Sequence, residues 1–184
     1  MTLDLSTPQA MPASRLRPAV ASKSFEATEP GDIVALVDGG SERFGMVGAH
    51  LERGGTRTLV MVYMRDASGG GPATVAWEYY EPNQTVLSFG KKPFFSFDPR
   101  GTAAVRAHLG PVPTGALIVG RSGTLLTAQH AAATGARAAY FNIASGELVT
   151  DAARSGDVAI KTWELHLPID GQPSMALFRF GSAS

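Results

Sequence analysis

The chain has no cysteine, no long apolar run and no surplus of either charge, and each absence closes a class of function. Without cysteine there is no disulfide, no thiolate nucleophile and no Cys-ligated metal. No stretch reaches the roughly 18 consecutive apolar residues that a bilayer-crossing helix needs, so no membrane partner is expected. Sixteen Lys plus Arg balance sixteen Asp plus Glu. That neutrality argues against a duplex nucleic-acid partner, because such binding draws its affinity from neutralised phosphates. The first thirty residues lack a basic patch followed by an apolar run, and so do not resemble a secretory signal.

Charge is also scarce, at 17% of 184 residues, while there are 21 glycines and 12 prolines. Long amphipathic helices need more Glu and Lys on their outer faces than this. The composition predicts a mainly β protein rich in turns. It is built as small β-barrel or β-sandwich lobes, with an extended N-terminal arm and one short helix.

Residues 1–30 read as the arm: Pro8, Pro12, Pro18 and Pro30 are too closely spaced for a helix. Residues 31–110 read as a first β-rich lobe. Asp32–Val37 runs into the turn signal Asp38-Gly39-Gly40, followed by strand-like runs at Phe44–Leu51, Thr58–Met64, Thr74–Tyr80, Thr85–Phe89 and Phe94–Phe97. The short helix falls around Thr102–Leu109, between Asp98-Pro99 and Gly110-Pro111. Phe94, Phe95 and Phe97 are expected in the core beneath it.

Residues 111–184 read as a second β-rich lobe. Strands are expected at Ala116–Val119 and Thr124–Thr127, then a helical turn in the Ala-rich Gln129–Thr134. A hairpin within GARAAYFNIASGELVT (135–150) turns at Ser145-Gly146. Val158–Leu167 and Ser174–Phe180 complete the set, with Met175, Leu177 and Phe178 or Phe180 facing inward.

A search for chemistry returns little. His50, His108, His130 and His166 include no pair at helical metal-ligand spacing, so no metal site and no cofactor are expected. The segment LTAQHAA (126–132) faintly echoes the histidine segment of trypsin-like proteases, but neither Ser122 nor Asp157 completes a triad in order or spacing. Gly69-Gly70-Gly71-Pro72 lacks the Gly-Lys-Ser/Thr of a phosphate loop. Glu78 and Glu81 straddle a turn and do not form a glycosidase pair. No catalytic residue is assigned, and the chain is expected not to be an enzyme. Trp77, Tyr79 and Tyr80 cannot all face inward on one strand, so they are candidate exposed aromatic contacts for a partner or a sugar ring.

Three segments of the second half carry a resemblance: GPVPTGALI (110–118), GARAAYFNIASGELVTD (135–151) and IKTWELHLPIDGQPSMALFRF (160–180). Their succession resembles the C-terminal half of phage capsid structural cement, or head decoration, proteins. Gly135, Ala138 or Ala139, Tyr140, Asn142, Ser145 and Gly146 follow that family's G-x-x-A-Y-x-N-x-x-[ST]-G run with one residue of slack. Trp163, Gly171 and Met175–Phe180 take the places of its last aromatic strand, turn and apolar strand. The stretch 56–99 has no counterpart in the family pattern.

The resemblance implies a virion structural protein, made in the host cytoplasm, that binds the outer capsid surface and cements joints between major capsid protein subunits. The major capsid protein and neighbouring copies of the chain, as a trimer or other oligomer, are the implied partners. The arm would supply Leu3, Leu5, Met11, Leu16, Val20 and Phe25 as contacts, and thirty extended residues span on the order of 100 Å. A second resemblance lies in the first half. GDIVAL, VAWEYYEPNQT and KPFFSFD are similar to the bromo-adjacent homology domain, which implies a small β-barrel reader of peptides or chromatin. A glycan-binding fibre or adhesin component using Trp77, Tyr79 and Tyr80 is a further alternative.

Overall fold

A computed structural model describes residues 20–38, 41–51, 57–65, 73–98, 105–106, 112–121, 123–132, 138–149 and 157–181. The strands, in chain order, are Ala21–Ser24 (β1), Ile33–Asp38 (β2), Ser41–Leu51 (β3), Arg57–Arg65 (β4), Thr74–Tyr79 (β5), Thr85–Gly90 (β6) and Phe94–Ser96 (β7). They continue with Val105–Arg106 (β8), Leu117–Gly120 (β9), Gly123–His130 (β10), Ala139–Asn142 (β11), Val158–Ile160 (β12), Trp163–Ile169 (β13) and Gln172–Phe180 (β14). Among the described residues the one helical element is a 3-10 turn, Phe25–Ala27.

The large sheet runs β1-β6-β2-β3-β4-β5-β10-β9-β12-β8, with β11 alongside β10, and a second sheet runs β14-β13-β7. The ends of the large sheet do not meet, so the expected barrels are absent and the arrangement is sandwich-like. The helix expected at 102–109 is also corrected. Val105 and Arg106 pair with Ala159 and Val158 as β8, and extended residues cannot continue a helix; the flanking residues lie outside the described ones. Gln129 and His130 are likewise extended rather than helical, because they pair with Ala76 and Trp77 of β5.

Alternation decides which face each residue serves. Val60, Val62 and Met64 of β4 enter one core, and Met61 and Tyr63 enter another, all buried. A strand covered on both faces reads as an unbroken apolar run, which is what TLVMVYM is. The larger core joins β2–β5 to residues of the second half, among them Leu117, Leu126, Phe141, Trp163, Leu165 and Phe178. The sheet likewise crosses the expected boundary at 110 through the parallel β5–β10 pair, and β7 pairs with β13.

The smaller core draws in the end of the arm. β1 pairs with β6, and Phe25, at 1% exposure, lies edge-on to Tyr80 with ring centroids 5.1 Å apart. Tyr80 in turn meets Tyr63 at 6.1 Å. Burying a phenylalanine contributes about 1.5–3 kcal/mol, which anchors residues 20–27 to the body.

Two expected strands differ in detail. Val158–Leu167 is split at Lys161-Thr162, where the chain leaves the large sheet as β12 and enters the small one as β13. In β14 a register shift opposite Leu165–His166 breaks the alternation. Phe178 is therefore buried, while Met175 is exposed rather than inward-facing.

The hairpin at 138–149 holds the halves together. Asn142 Oδ1 accepts from the amides of Ala144 (2.9 Å) and Ser145 (3.2 Å), and Gly146 N–H returns to Asn142 O at 2.7 Å. This tight loop presents its far side to β3. Ala49 N–H donates to Gly146 O (2.8 Å), and Leu148 N–H donates to Ala49 O (2.9 Å). The approach requires bare backbone on both sides. Gly146 has φ +69°, and a Cβ there would fall 2.5 Å from Val47 O and closer still to Gly31 N. Gly31 has φ +90°, and its Cβ would lie 2.7 Å from Ala144 O.

Gly146→Ala combines left-handed strain with a backbone clash. It is expected to destabilise by about 3–4 kcal/mol, a melting shift on the order of 10 °C. Gly171→Ala at a similar φ of +69° has open space around it and should cost only about 1 kcal/mol. Equal losses in thermal unfolding would show that close packing at Gly146 is unimportant.

Burial pushes the Tyr63 hydroxyl far above its ordinary value, and its hydrogen bond to Glu78 and that carboxylate's charge push it further. The unfolded chain releases this proton near pH 10 while the folded chain keeps it. The stability contributed here is therefore whole below about pH 10 and falls as pH rises beyond it. Urea unfolding from about pH 9 to pH 11.5 should show a decline steeper than that of Tyr63→Phe, by up to about 1.4 kcal/mol per pH unit. Identical slopes would refute this coupling.

Candidate binding surface

β5 pairs along its length with β4 but with β10 only at Ala76 and Trp77. Alternation then separates the three candidate aromatics. Trp77 is half-buried, edge-on to His130 with centroids 4.5 Å apart, and 6.0 Å from Phe141. Tyr79 follows on the same face, 6.1 Å from Trp77, and stands 52% exposed. Tyr80, just past the strand, turns to the opposite face between Phe25 and Tyr63. One of the three is thus displayed to solvent.

The arm residues separate as well. Leu3, Leu5, Met11 and Leu16 lie outside the described residues. Val20 is half-buried. Phe25, expected to reach a partner, is instead enclosed in the chain's own core, because the 3-10 turn that follows β1 directs it under Tyr80.

The small sheet presents two different faces. Inward, Trp163 is buried and donates its Nε1–H to Gly115 O at 2.8 Å. Phe95, Phe178 and Phe180 surround it with centroids 5.1–5.5 Å away. Phe95 thus meets its expected core role, whereas Phe94 and Phe97 are exposed, corrected by the alternation along β7 and its end at Ser96.

Outward, His166 stacks on Phe94 at 5.5 Å. Its Nε2 lies 2.8 Å from Glu164 Oε2 and its Nδ1 3.2 Å from Ser174 Oγ. Arg179 Nη2 holds the other Glu164 oxygen at 2.5 Å. A Ser–His–carboxylate order is that of a nucleophile relay. Here it lies on an outer sheet face, with its carboxylate shared by a guanidinium, and it braces β13 against β14. Sequence reading missed this group because Ser174 belongs to another strand. The available signal was Glu164 and His166 at i, i+2, which places both on one face of a strand.

Among the described residues no group of three His, Asp or Glu side chains is arranged to hold a metal ion, and no helix is long and apolar enough to cross a membrane. Tyr79→Ala should change stability by no more than about 0.5 kcal/mol, as at an ordinary surface site. Tyr80→Ala should cost about 2–4 kcal/mol through lost packing on Phe25 and Tyr63. Chemical denaturation of both variants checks the assignment, and a reversed order would contradict it. Comparisons of the chain with protein-family models, with curated proteins and with solved structures find no match.

Proposed function

We propose that the chain is a virion structural protein that binds the outside of a capsid shell and cements joints between major capsid protein subunits. One observation carries this reading. The three segments on which the resemblance rests share one core, to which they contribute Leu117, Phe141 and Trp163. Trp163, from the third segment, bonds to Gly115 in the first, and Phe180 stacks on Trp163. The hairpin in the second segment bonds to β3. Shared packing is what a structural signature requires.

The physics of such a role also favours this body. A cement protein must transmit load between neighbours, and a sheet continuous across both halves with a shared core does so without a hinge. Exposed Tyr79, Phe94, Phe97 and Met175 offer apolar contacts, and Leu3, Leu5, Met11 and Leu16 add more through the arm. Many copies on one shell make modest affinity per site sufficient.

The decisive experiment uses shells assembled from a major capsid protein whose gene this reading expects beside the gene for this chain. The full chain should decorate them. Deleting residues 1–19 removes the arm contacts but spares β1 and Phe25, so the fold should persist while affinity drops at least about tenfold. No decoration by the full chain would overturn the function. Undiminished decoration after the deletion would overturn the role of the arm.

A further inference from the structure

β10 changes partner along one of its edges. Thr127, Gln129 and Ala131 present their backbone groups to that edge, since alternate residues of a strand bond to the same side. Thr127 N–H donates to Ala116 O at 3.0 Å and Thr127 O accepts from Gly115 N–H at 2.8 Å, extending the β9 pairing. Two residues on, Gln129 pairs with Ala76, and Ala131 N–H donates to Trp77 O at 2.9 Å. β9 and its lead-in hold one part of the edge, and β5 holds the next. Where they diverge they leave a cleft of about 290 Å³.

The cleft is lined by Thr74, Thr114, Gln129 and His130 together with Ala73, Ala76, Ala131 and the backbone of Val75, and among the described residues no charged one lines it. His130 is oriented from two sides. Its Nδ1 accepts from Ala132 N–H at 3.2 Å, and the Trp77 ring meets it edge-on. With Nδ1 occupied as an acceptor, the neutral ring carries its proton on Nε2 and offers a donor there.

We propose that this cleft binds a neutral, hydroxyl-rich ligand of monosaccharide size, such as the terminal hexose of a glycan. The Thr74 and Thr114 hydroxyls each donate and accept, which matches the hydroxyls of a sugar. An anionic or cationic ligand would lose its hydration with no opposite charge to replace it. The volume lies at the small end of ligand sites, which limits the occupant to about one ring. The exposed methyl group of Ala131 gives the C–H face of that ring an apolar contact. This site does not depend on the capsid reading and is tested on the isolated chain.

The test is an amide-resolved NMR titration with methyl α-D-glucopyranoside, methyl α-D-galactopyranoside and methyl N-acetyl-β-D-glucosaminide, with glucuronate as the charged control. At least one neutral glycoside, of about 13 or more non-hydrogen atoms, should shift the amides of Thr74, Thr114 and His130 with a Kd on the order of 1 mM. Glucuronate should bind at least tenfold more weakly, on the order of the loss of one good polar contact. Thr114→Val and the more exposed Thr74→Val should each weaken binding several-fold without lowering the melting temperature. The proposal is overturned if no neutral glycoside shifts these amides at tens of millimolar, if glucuronate binds equally, or if folded variants bind unchanged.

Discussion

The structure turns on a short piece of backbone contact between Ala49 and the hairpin at 138–149. β3 loses β2 as a neighbour after Met46, and the chain must satisfy the groups that β2 no longer reaches. Gly31 N–H and Asp32 O complete Val47, and then Gly146 O and Leu148 N–H complete Ala49. Buried backbone groups left without partners would cost about 1–3 kcal/mol each. The hairpin therefore does more than turn the chain. It finishes the edge of a strand contributed by the other half.

The same event occurs on β10 with a different outcome. There, too, one neighbour ends and another begins along a single edge, at Thr127 and Gln129. At β3 the exchange is closed by two glycines whose missing side chains let backbones touch. At β10 the exchange leaves open space edged by Thr74, Thr114 and His130. Closure gives cohesion and an opening gives a place to bind, so one topological device supplies both. Trp163 adds to the cohesion, since its ring fills the core while its Nε1–H is tied to Gly115.

Much of the fold was legible in the sequence because alternation and turn chemistry are local. The strand at Thr58–Met64, the turn between the Thr74–Tyr80 and Thr85–Phe89 runs and the hairpin turn near Ser145-Gly146 all lie where residue type alone indicates. What was not legible depends on distant partners. Val158–Leu167 reads as one run, yet its two ends join different sheets. Val105–Arg106 carries helix-compatible neighbours but is held extended by β12. Phe25 looks like a free arm residue until β1 pairs with β6 and encloses it. Of the candidate surface, alternation requires that Trp77, Tyr79 and Tyr80 not all face inward. That Tyr79 is the exposed one, like the Glu164–His166–Ser174 group and the cleft beside His130, depends on strand pairing that no local pattern specifies.

Cohesion between the halves is the central claim, and native-state hydrogen exchange tests it most directly. The amides of Ala49 and Leu148, whose bonds cross from one half to the other, should exchange only through global unfolding. Their opening free energies should match those of Val60 and Leu126 in the core. Fast exchange at Ala49 and Leu148 while Val60 and Leu126 stay protected would contradict it, because the two halves would then separate without unfolding.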